Sequence, residues 1–179
     1  MNSALTVLEA QVRADLAKTA HPDAAWLTPK LGPDARPALD VLVVGAGQSG
    51  LATAFGLIRS QVSNILVLDK SEEGQEGPWL TYARMHTLRS PKHFTGPDLD
   101  IPSLTYQSWH EARFGAEDWR NLDLISRELW AEYLLWFRRV LDLPVRNGCE
   151  VIEISPAAGG LLAARVQTAD CIDTFFARK

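Results

Sequence analysis

Several features that would point to particular classes of protein are missing from this sequence. Only 2 of its 179 residues are cysteines. Cys149 and Cys171 lack the spacing of metal ligands, which indicates reduced thiols in a cytoplasmic protein. A formal net charge of −4 offers no basic surface for a nucleic acid. No apolar run approaches the roughly 20 residues that cross a bilayer, so neither nucleic acid nor membrane is expected as a partner.

Metal-binding patterns are missing as well. The 4 histidines are scattered along the chain and form no ligand pair at helical spacing, so the sequence predicts no metal site. The chain length suits one domain with a hydrophobic core and is too short for two comfortable ones. We expect residues 1–39 to form an N-terminal helix and a proline-rich strap, and residues 40–179 to form the domain itself.

The pattern of apolar residues predicts a βαβ unit between residues 40 and 70. The runs VLVV and NILVLD are continuously apolar, as is typical of parallel strands that are covered on both faces. Between them the sequence predicts a helix from about Ser49 to Ser60. This unit indicates an α/β fold with a Rossmann-like, doubly wound parallel sheet.

The rest of the chain is less regular before it becomes ordered again. We expect little regular structure from Lys70 to Asp123, and a stretch of this length usually serves function. A helix then begins at Ser126, which is able to cap it, and ends at Pro144. A strand over 150–154 and a β-hairpin over 161–179 complete the predicted fold.

A glycine-rich turn joins the first predicted strand to its helix. The spacing is G-x-G-x-x-G, in which the first glycine makes the turn, the second admits a pyrophosphate, and the third lets helix and strand pack closely. Amides at the helix start point toward the anion, and the helix dipole assists them. The candidate pyrophosphate-binding residues are Gly45, Ala46, Gly47, Gln48, Ser49 and Gly50.

An acidic residue ends the second predicted strand, where a dinucleotide site needs one. Asp69 stands 19 positions after Gly50, close to the roughly 20 that this unit requires. A carboxylate there accepts hydrogen bonds from both ribose hydroxyls and repels a 2′-phosphate. The pattern therefore favours FAD or NAD over NADP.

Three segments carry a resemblance to a known family. VVGAGQSGLATA, VLDK and GPWLTYARMHTLRSPK are similar to the FAD-binding half of the flavin-dependent monooxygenases, which include flavin-containing, Baeyer–Villiger and N-hydroxylating enzymes. The resemblance covers about residues 40–179 and implies a FAD-binding, Rossmann-like domain. It also implies an oxidoreductase in which NAD(P)H reduces FAD, and the flavin activates O₂ to oxygenate a small-molecule substrate.

The resemblance implies cofactor contacts beyond the first turn. In that family a glycine turn that ends in tryptophan lines the flavin, and Gly77, Pro78 and Trp79 match it. A tryptophan there gives a flat apolar wall for a ring system, although Trp79 also suits a purely structural role in the core. Lys70, the last residue of VLDK, belongs to the same candidate set.

Three further positions are implied in the same way. Arg84 matches an arginine that neutralises phosphate or flavin charge. Ser90 matches a serine in a segment that faces the junction of flavin and nicotinamide, and Arg89 stands where flavin-containing monooxygenases usually have asparagine. Val151, in the run EVIEI, matches a third-strand residue whose backbone bonds the adenine edge. The sequence assigns no catalytic residue.

Two elements of that family are missing from the sequence. These are a strand that ends in Ala-Thr-Gly and a second G-x-G-x-x-G for the nicotinamide cofactor. In a doubly wound sheet the missing strand lies beside the first one, so we expect Val41–Val44 to form an uncovered apolar edge. Such an edge favours self-association or a complementing chain. We therefore predict a fragment truncated before its last strands, or half of a split enzyme.

Two other functions stay open at this point. A non-catalytic module with a nucleotide fold would use the sheet edge and a tryptophan-rich region to bind a partner. That region contains Trp109, Trp119, Trp130 and Trp136, although four tryptophans in a helical region more often form a core. A simple NAD-dependent dehydrogenase domain is the weaker alternative, because the GPW turn and the irregular stretch behind it do not suit one.

Overall fold

The computed structural model describes residues 3–19 and 22–179, so His21 lies outside the described residues. The chain divides into two compact units. Residues 3–19 and 78–142 form the helical unit, and residues 22–77 and 143–179 form the sheet unit. The predicted boundary between residues 39 and 40 stays a prediction. Among the described residues, no helix combines the length and apolar character needed to span a membrane.

A small parallel sheet lies at the centre of the sheet unit. Its strands are β1 (Val41–Val44), β2 (Ile65–Leu68) and β3 (Val145–Arg146), in the order β1-β2-β3. The first two pair in register from Val41 with Ile65 to Val44 with Leu68. This arrangement confirms the predicted parallel α/β sheet.

An antiparallel sheet completes the strands of this unit. It contains β4 (Glu150–Ala157), β5 (Leu161–Gln167) and β6 (Ile172–Ala177) in sequence order. The predicted C-terminal hairpin is the β5–β6 pair, whose register runs from Leu162 opposite Ala177 to Gln167 opposite Ile172.

The strand predicted over 150–154 is confirmed as part of β4, but it is not the third strand of the parallel sheet. The run EVIEI lies in β4 of the antiparallel sheet, and the third parallel strand is the short Val145–Arg146. Strands β1 and β2 are continuously apolar, whereas EVIEI contains two glutamates, Glu150 and Glu153, which suit a strand with one solvated face. These glutamates are the signal in the sequence that distinguishes an antiparallel strand with one solvated face from a buried parallel strand.

Different elements pack on the two faces of the parallel sheet. Helix α2 (Gln48–Arg59) buries Leu51, Ala54 and Phe55, which share one helix face. On the other face, the two sheets share a core cluster formed by Leu68, Cys149 and Val166, with Leu42, Leu66, Val151 and Phe175 packed against it. Because strand side chains alternate between faces, the cluster contains Leu42, Leu66 and Leu68 together.

The helical unit contains the other helices. These are α1 (Ser3–Thr19), α3 (Tyr106–Phe114), α4 (Ala116–Asn121) and α5 (Arg127–Val140). The predicted cap of α5 is confirmed, because the Ser126 side chain accepts a hydrogen bond from the Leu129 amide. Helices α3 and α4 correct the expectation of little regular structure before Asp123. Thr105 caps α3 by accepting a hydrogen bond from the Ser108 amide.

The tryptophan-rich region forms the core of the helical unit. Trp109, Trp119, Trp130 and Trp136 are each at most 7% exposed, and Tyr133 is fully buried with its hydroxyl donating to the Leu104 carbonyl at 2.8 Å. Ring contacts link most of these residues into one aromatic cluster. These tryptophans therefore do not form the exposed partner surface that the module hypothesis needs.

His110 is the buried titratable residue of this cluster. It is 1% exposed, its Nε2 lies 3.3 Å from Asp118 Oδ1, and its Nδ1 has no partner. Burial lowers the pKa of His110 below its ordinary 6.5 more than Asp118 and Glu111 raise it, and the Lys92 and Arg113 charges lower it further. Neutral imidazole is therefore the form that the folded state favours.

We expect the helical unit to lose stability as pH falls below about 6.5, because the unfolded chain then binds a proton that folded His110 resists. Urea unfolding at several values between about pH 7.5 and about pH 5, the range in which histidine titrates, measures this loss of stability. His110→Phe should flatten that dependence. An unchanged slope in the variant would assign the pH dependence to other groups.

Candidate functional site

The turn after β1 requires glycine at its first position. Gly45 has φ of +96°, a conformation that residues with a side chain rarely adopt. Its amide donates to the Leu68 carbonyl at 2.7 Å, so the turn stays attached to the end of β2. The chain leaves β1 at the edge of the sheet where β2 also ends.

Gly50 permits the close packing of α2 on this turn. A Cβ atom at Gly50 would lie 1.8 Å from the Gly45 oxygen and 3.6 Å from Val43 Cγ1. The first distance is far inside van der Waals contact, so no side chain fits at Gly50. The start of the helix thus lies directly against the turn, as the third glycine of the motif predicts.

The N-terminus of α2 is open to an anion. Its N-cap residue is Gly47, no side chain caps the helix, and the first turn contains no acidic residue. The first amides of a helix lack partners within the helix, and the positive end of the helix dipole lies at the same place. A pyrophosphate suits this position in charge and in hydrogen-bonding capacity.

The Asp69 carboxylate binds the glycine turn directly. It is 8% exposed, its Oδ2 accepts a hydrogen bond from the Ala46 amide at 2.7 Å, and its Oδ1 accepts one from the Ser71 amide at 2.8 Å. A carboxylate oxygen can accept two hydrogen bonds, so both oxygens of Asp69 are able to accept a further one from a ribose hydroxyl. Asp69 both fixes the turn and presents a negative charge beside it.

Gly77 returns to the same turn at the end of the loop that follows Asp69. A Cβ atom at Gly47 would lie 3.5 Å from the Gly77 Cα, which is ordinary contact. Gly45 to Gly50, Asp69 and Gly77 are therefore the candidate residues that the sheet unit brings together. Lys70 follows Asp69 with an exposed side chain.

Sequence reasoning missed two residues that brace this loop. Asn147 Nδ2 donates to the Ser71 carbonyl at 3.0 Å and to Glu76 Oε1 at 2.7 Å. Glu76 Oε2 in turn accepts from the Gly74 amide at 2.7 Å. The only signal in the sequence was the Asn-Gly pair after Arg146, which indicates a turn but does not indicate which residues Asn147 binds.

Val151 lies in β4 of the sheet unit. It pairs with Val166 of β5 and its side chain packs against the shared core cluster. The adenine contact suggested by the resemblance uses the Val151 backbone, so this side-chain packing leaves that role a prediction.

The remaining candidates lie in the helical unit. Trp79 packs edge-to-face on Trp130 with ring centroids 6.2 Å apart, and its Nε1 is a buried donor without a partner. Arg84 and Ser90 have exposed side chains. The segment between them is held by main-chain bonds to residues 125–127, including the Leu88 amide to the Ile125 carbonyl at 2.8 Å.

A pocket of about 450 Å³ lies beside Ser90 in the helical unit. It is lined by Arg89, Pro91, Lys92, His93, Leu122, Asp123 and Leu124. Lys92 Nζ donates to the Trp119 and Leu122 carbonyls at 2.7 and 2.5 Å, so its charge stabilises the end of α4. In the described part of the chain, no group of three or more His, Cys, Asp or Glu side chains is arranged to hold a metal ion.

Comparison with known proteins gives a consistent result. The profile of a family described as FAD-NAD(P)-binding matches residues 42–167. A FAD-dependent urate hydroxylase of Xanthomonas campestris pv. campestris is 49% identical over 154 residues, which are 86% of this chain and 32% of the relative.

Solved structures support the fold. An ornithine N-hydroxylase of Kutzneria sp. 744 aligns with TM-score 0.66 and 22% identity over 80% of this chain and 36% of its own. A flavin-containing monooxygenase from Stenotrophomonas maltophilia aligns with TM-score 0.57 and 27% identity over 79% of this chain and 36% of its own. The chain thus spans about a third of the length of these relatives. The resemblance to flavoprotein monooxygenases that the sequence predicted is confirmed.

Proposed function

The chain belongs to the FAD-NAD(P)-binding family, and from that premise we propose that it forms the FAD-binding portion of a flavoprotein hydroxylase. The observation that carries the proposal is the contact of the Asp69 carboxylate with the Ala46 amide. This hydrogen bond joins the candidate pyrophosphate-binding turn directly to the candidate ribose acceptor. It supports an adenosine diphosphate site at the ends of β1 and β2.

The residues of the sheet unit fit the adenosine diphosphate half of FAD. The Ser49 and Gly50 amides, at the uncapped start of α2, would donate to the pyrophosphate. Asp69 would accept from the ribose hydroxyls while keeping the turn in place. The absence of a side chain at Gly47 would let the pyrophosphate approach the backbone. Lys70 and Gly77 would border the same site.

The contacts to the rest of FAD are proposed from the family resemblance. Trp79 would supply an apolar wall after the Gly77-Pro78 turn, and its unpartnered Nε1 is a donor for a polar atom of the cofactor. Arg84 and Ser90 would contribute a charge and a hydroxyl. The Val151 backbone would bond the adenine edge. When bound, FAD supplies the electron-transfer and oxygen chemistry, and the protein positions the cofactor and excludes water.

The substrate is proposed only as a class. The relatives are named for urate and for ornithine, which are small polar metabolites, and we infer a small-molecule substrate for the whole protein. NAD(P)H would serve as the reductant. Cys149 and Cys171 are both free thiols, which supports a reducing, cytoplasmic setting.

Titration of the 179-residue chain with FAD and, separately, with NAD⁺ tests the proposal. Flavin fluorescence and calorimetry follow binding. We expect FAD to bind at least about tenfold more tightly than NAD⁺, because the flavin contacts add to the shared adenosine diphosphate contacts. If NAD⁺ binds and FAD does not, the simple dehydrogenase alternative would replace this proposal.

A further inference from the structure

The loop of residues 70–76 joins two candidate cofactor contacts of the sheet unit, Asp69 and Gly77. Asp69 accepts a hydrogen bond from the Ala46 amide of the glycine turn. Gly77 lies against the same turn, since a Cβ atom at Gly47 would be 3.5 Å from the Gly77 Cα. The conformation of this loop therefore sets the spacing between the candidate ribose acceptor and the backbone at Gly77.

One side chain from a distant part of the chain binds this loop near both of its ends. Asn147 follows β3, and its Nδ2 donates to the Ser71 carbonyl at 3.0 Å and to Glu76 Oε1 at 2.7 Å. Both partners are acceptors, so they use both hydrogens of the amide group and fix its orientation. The Gly148 amide also donates to the Ser71 carbonyl, at 3.2 Å.

Each partner of Asn147 leads directly to a residue of the candidate site. The Ser71 amide donates to Asp69 Oδ1 at 2.8 Å, so Ser71 binds Asn147 through its carbonyl and Asp69 through its amide. Glu76 is the residue immediately before Gly77. Asn147 is thus linked through one residue to Asp69 and through another to Gly77.

We propose that Asn147 is a positioning residue of the adenosine diphosphate site, an inference that rests on the proposed function. It acts through Ser71 and Glu76, which it holds at a fixed separation, and so keeps Asp69 and Gly77 in place. Without this contact the loop would have to be ordered when the cofactor binds, which costs affinity. Aspartate has nearly the same size as asparagine but supplies no donor to either partner.

Asn147→Asp tests this role in the full 179-residue chain, with Asn64→Asp as the matched control. The Asn64 Nδ2 donates to the Ala38 carbonyl at 2.9 Å, so the control removes an amide donor from the same unit at the opposite end of β2. We expect Asn147→Asp to weaken FAD binding by at least about tenfold. Asn64→Asp should lower the free energy of unfolding and leave FAD affinity unchanged.

A second substitution should rescue the first. In the double variant that combines Asn147→Asp with Glu76→Gln, the amide group is at position 76 and the carboxylate at position 147, so one hydrogen bond forms again with donor and acceptor exchanged. We expect the double variant to bind FAD at least about threefold more tightly than Asn147→Asp alone. A purely structural defect at position 147 would not be relieved by this change.

Amide exchange without ligand separates this inference from the proposed function. The Ala46 amide, which donates to Asp69, should exchange at least about tenfold faster in Asn147→Asp than in the parent chain. The Val67 amide donates to the Pro144 carbonyl at 2.9 Å and should stay protected, which shows that the parallel sheet is intact.

Unchanged Ala46 exchange in Asn147→Asp would overturn the inference. Unchanged FAD affinity in that variant, an equal loss of affinity in Asn64→Asp, or no rescue by Glu76→Gln would overturn it as well. Failure of the parent chain to bind FAD would overturn the proposed function, and faster Ala46 exchange in Asn147→Asp would then still support the positioning of Asp69 by Asn147.

Discussion

Replacing Gly50 with alanine is expected to destabilise the sheet unit by at least about 3 kcal/mol, at the upper end of the overpacking range. In an ordinary helix position this change gains up to about 1 kcal/mol from helix propensity. Here the new Cβ would lie 1.8 Å from the Gly45 oxygen and 2.9 Å from its carbon. The neighbouring atoms belong to the backbone and cannot rotate away, so the steric cost of the new methyl group exceeds the gain in helix propensity.

Gly47→Ala is the matched control. Its Cβ would lie 3.5 Å from the Gly77 Cα, so we expect a loss of stability below about 1 kcal/mol. Urea unfolding followed by circular dichroism measures both variants. Gly47→Ala should nevertheless weaken FAD binding, since its methyl occupies the proposed approach of the pyrophosphate. A Gly50→Ala protein as stable as the parent would contradict the described packing of α2.

Replacing Asp69 with asparagine is expected to reduce both stability and FAD affinity. Both carboxylate oxygens accept backbone amides, from Ala46 and from Ser71. Asparagine has one acceptor oxygen, so its NH₂ group would face one of these donors. Leaving a buried donor unsatisfied costs about 1–3 kcal/mol, and a charge-assisted bond to the ribose is worth about 1.5–3 kcal/mol. We therefore expect FAD to bind about 10- to 100-fold more weakly.

Two measurements separate these effects. Urea unfolding without ligand gives the stability loss, and titration with FAD gives the affinity. Asp170→Asn serves as the control, because Asp170 is exposed in the turn between β5 and β6. The Asp69→Asn change should also relieve discrimination against an adenosine diphosphate that carries a 2′-phosphate. If Asp69→Asn leaves the preference for adenosine diphosphate over its 2′-phosphorylated form unchanged, Asp69 does not face the ribose.

The glycine turn was predictable because its determinants are local. Gly45, Gly47 and Gly50 lie within six residues of one another. The turn requires glycine at Gly45 for its positive φ and at Gly50 for lack of space, and the strands on both sides are continuously apolar. Asp69 lies farther along the chain, but the usual length of a βαβ unit predicts its position at the end of the second strand. The cap of α5 at Ser126 was found for the same reason, since capping uses residues three apart.

The rest depended on contacts that a single sequence does not reveal. The loop from Asp69 to Gly77 is held by Asn147, which is 71 positions from Glu76. Helices α3 and α4 are short and carry aromatic side chains that have modest helix propensity, so their burial in the aromatic cluster decides their structure. The pairing of residues 176–179 with β1 likewise joins distant parts of the chain.

The most direct test of the account is a residue-by-residue amide spectrum of the 179-residue chain during titration with FAD. If the glycine turn and Asp69 hold the adenosine diphosphate half, the largest shifts in the sheet unit will fall on the Ser49 and Gly50 amides, with a further shift at Ser71, whose amide donates to Asp69. Saturation with FAD that leaves these three amides unmoved would contradict the central claim.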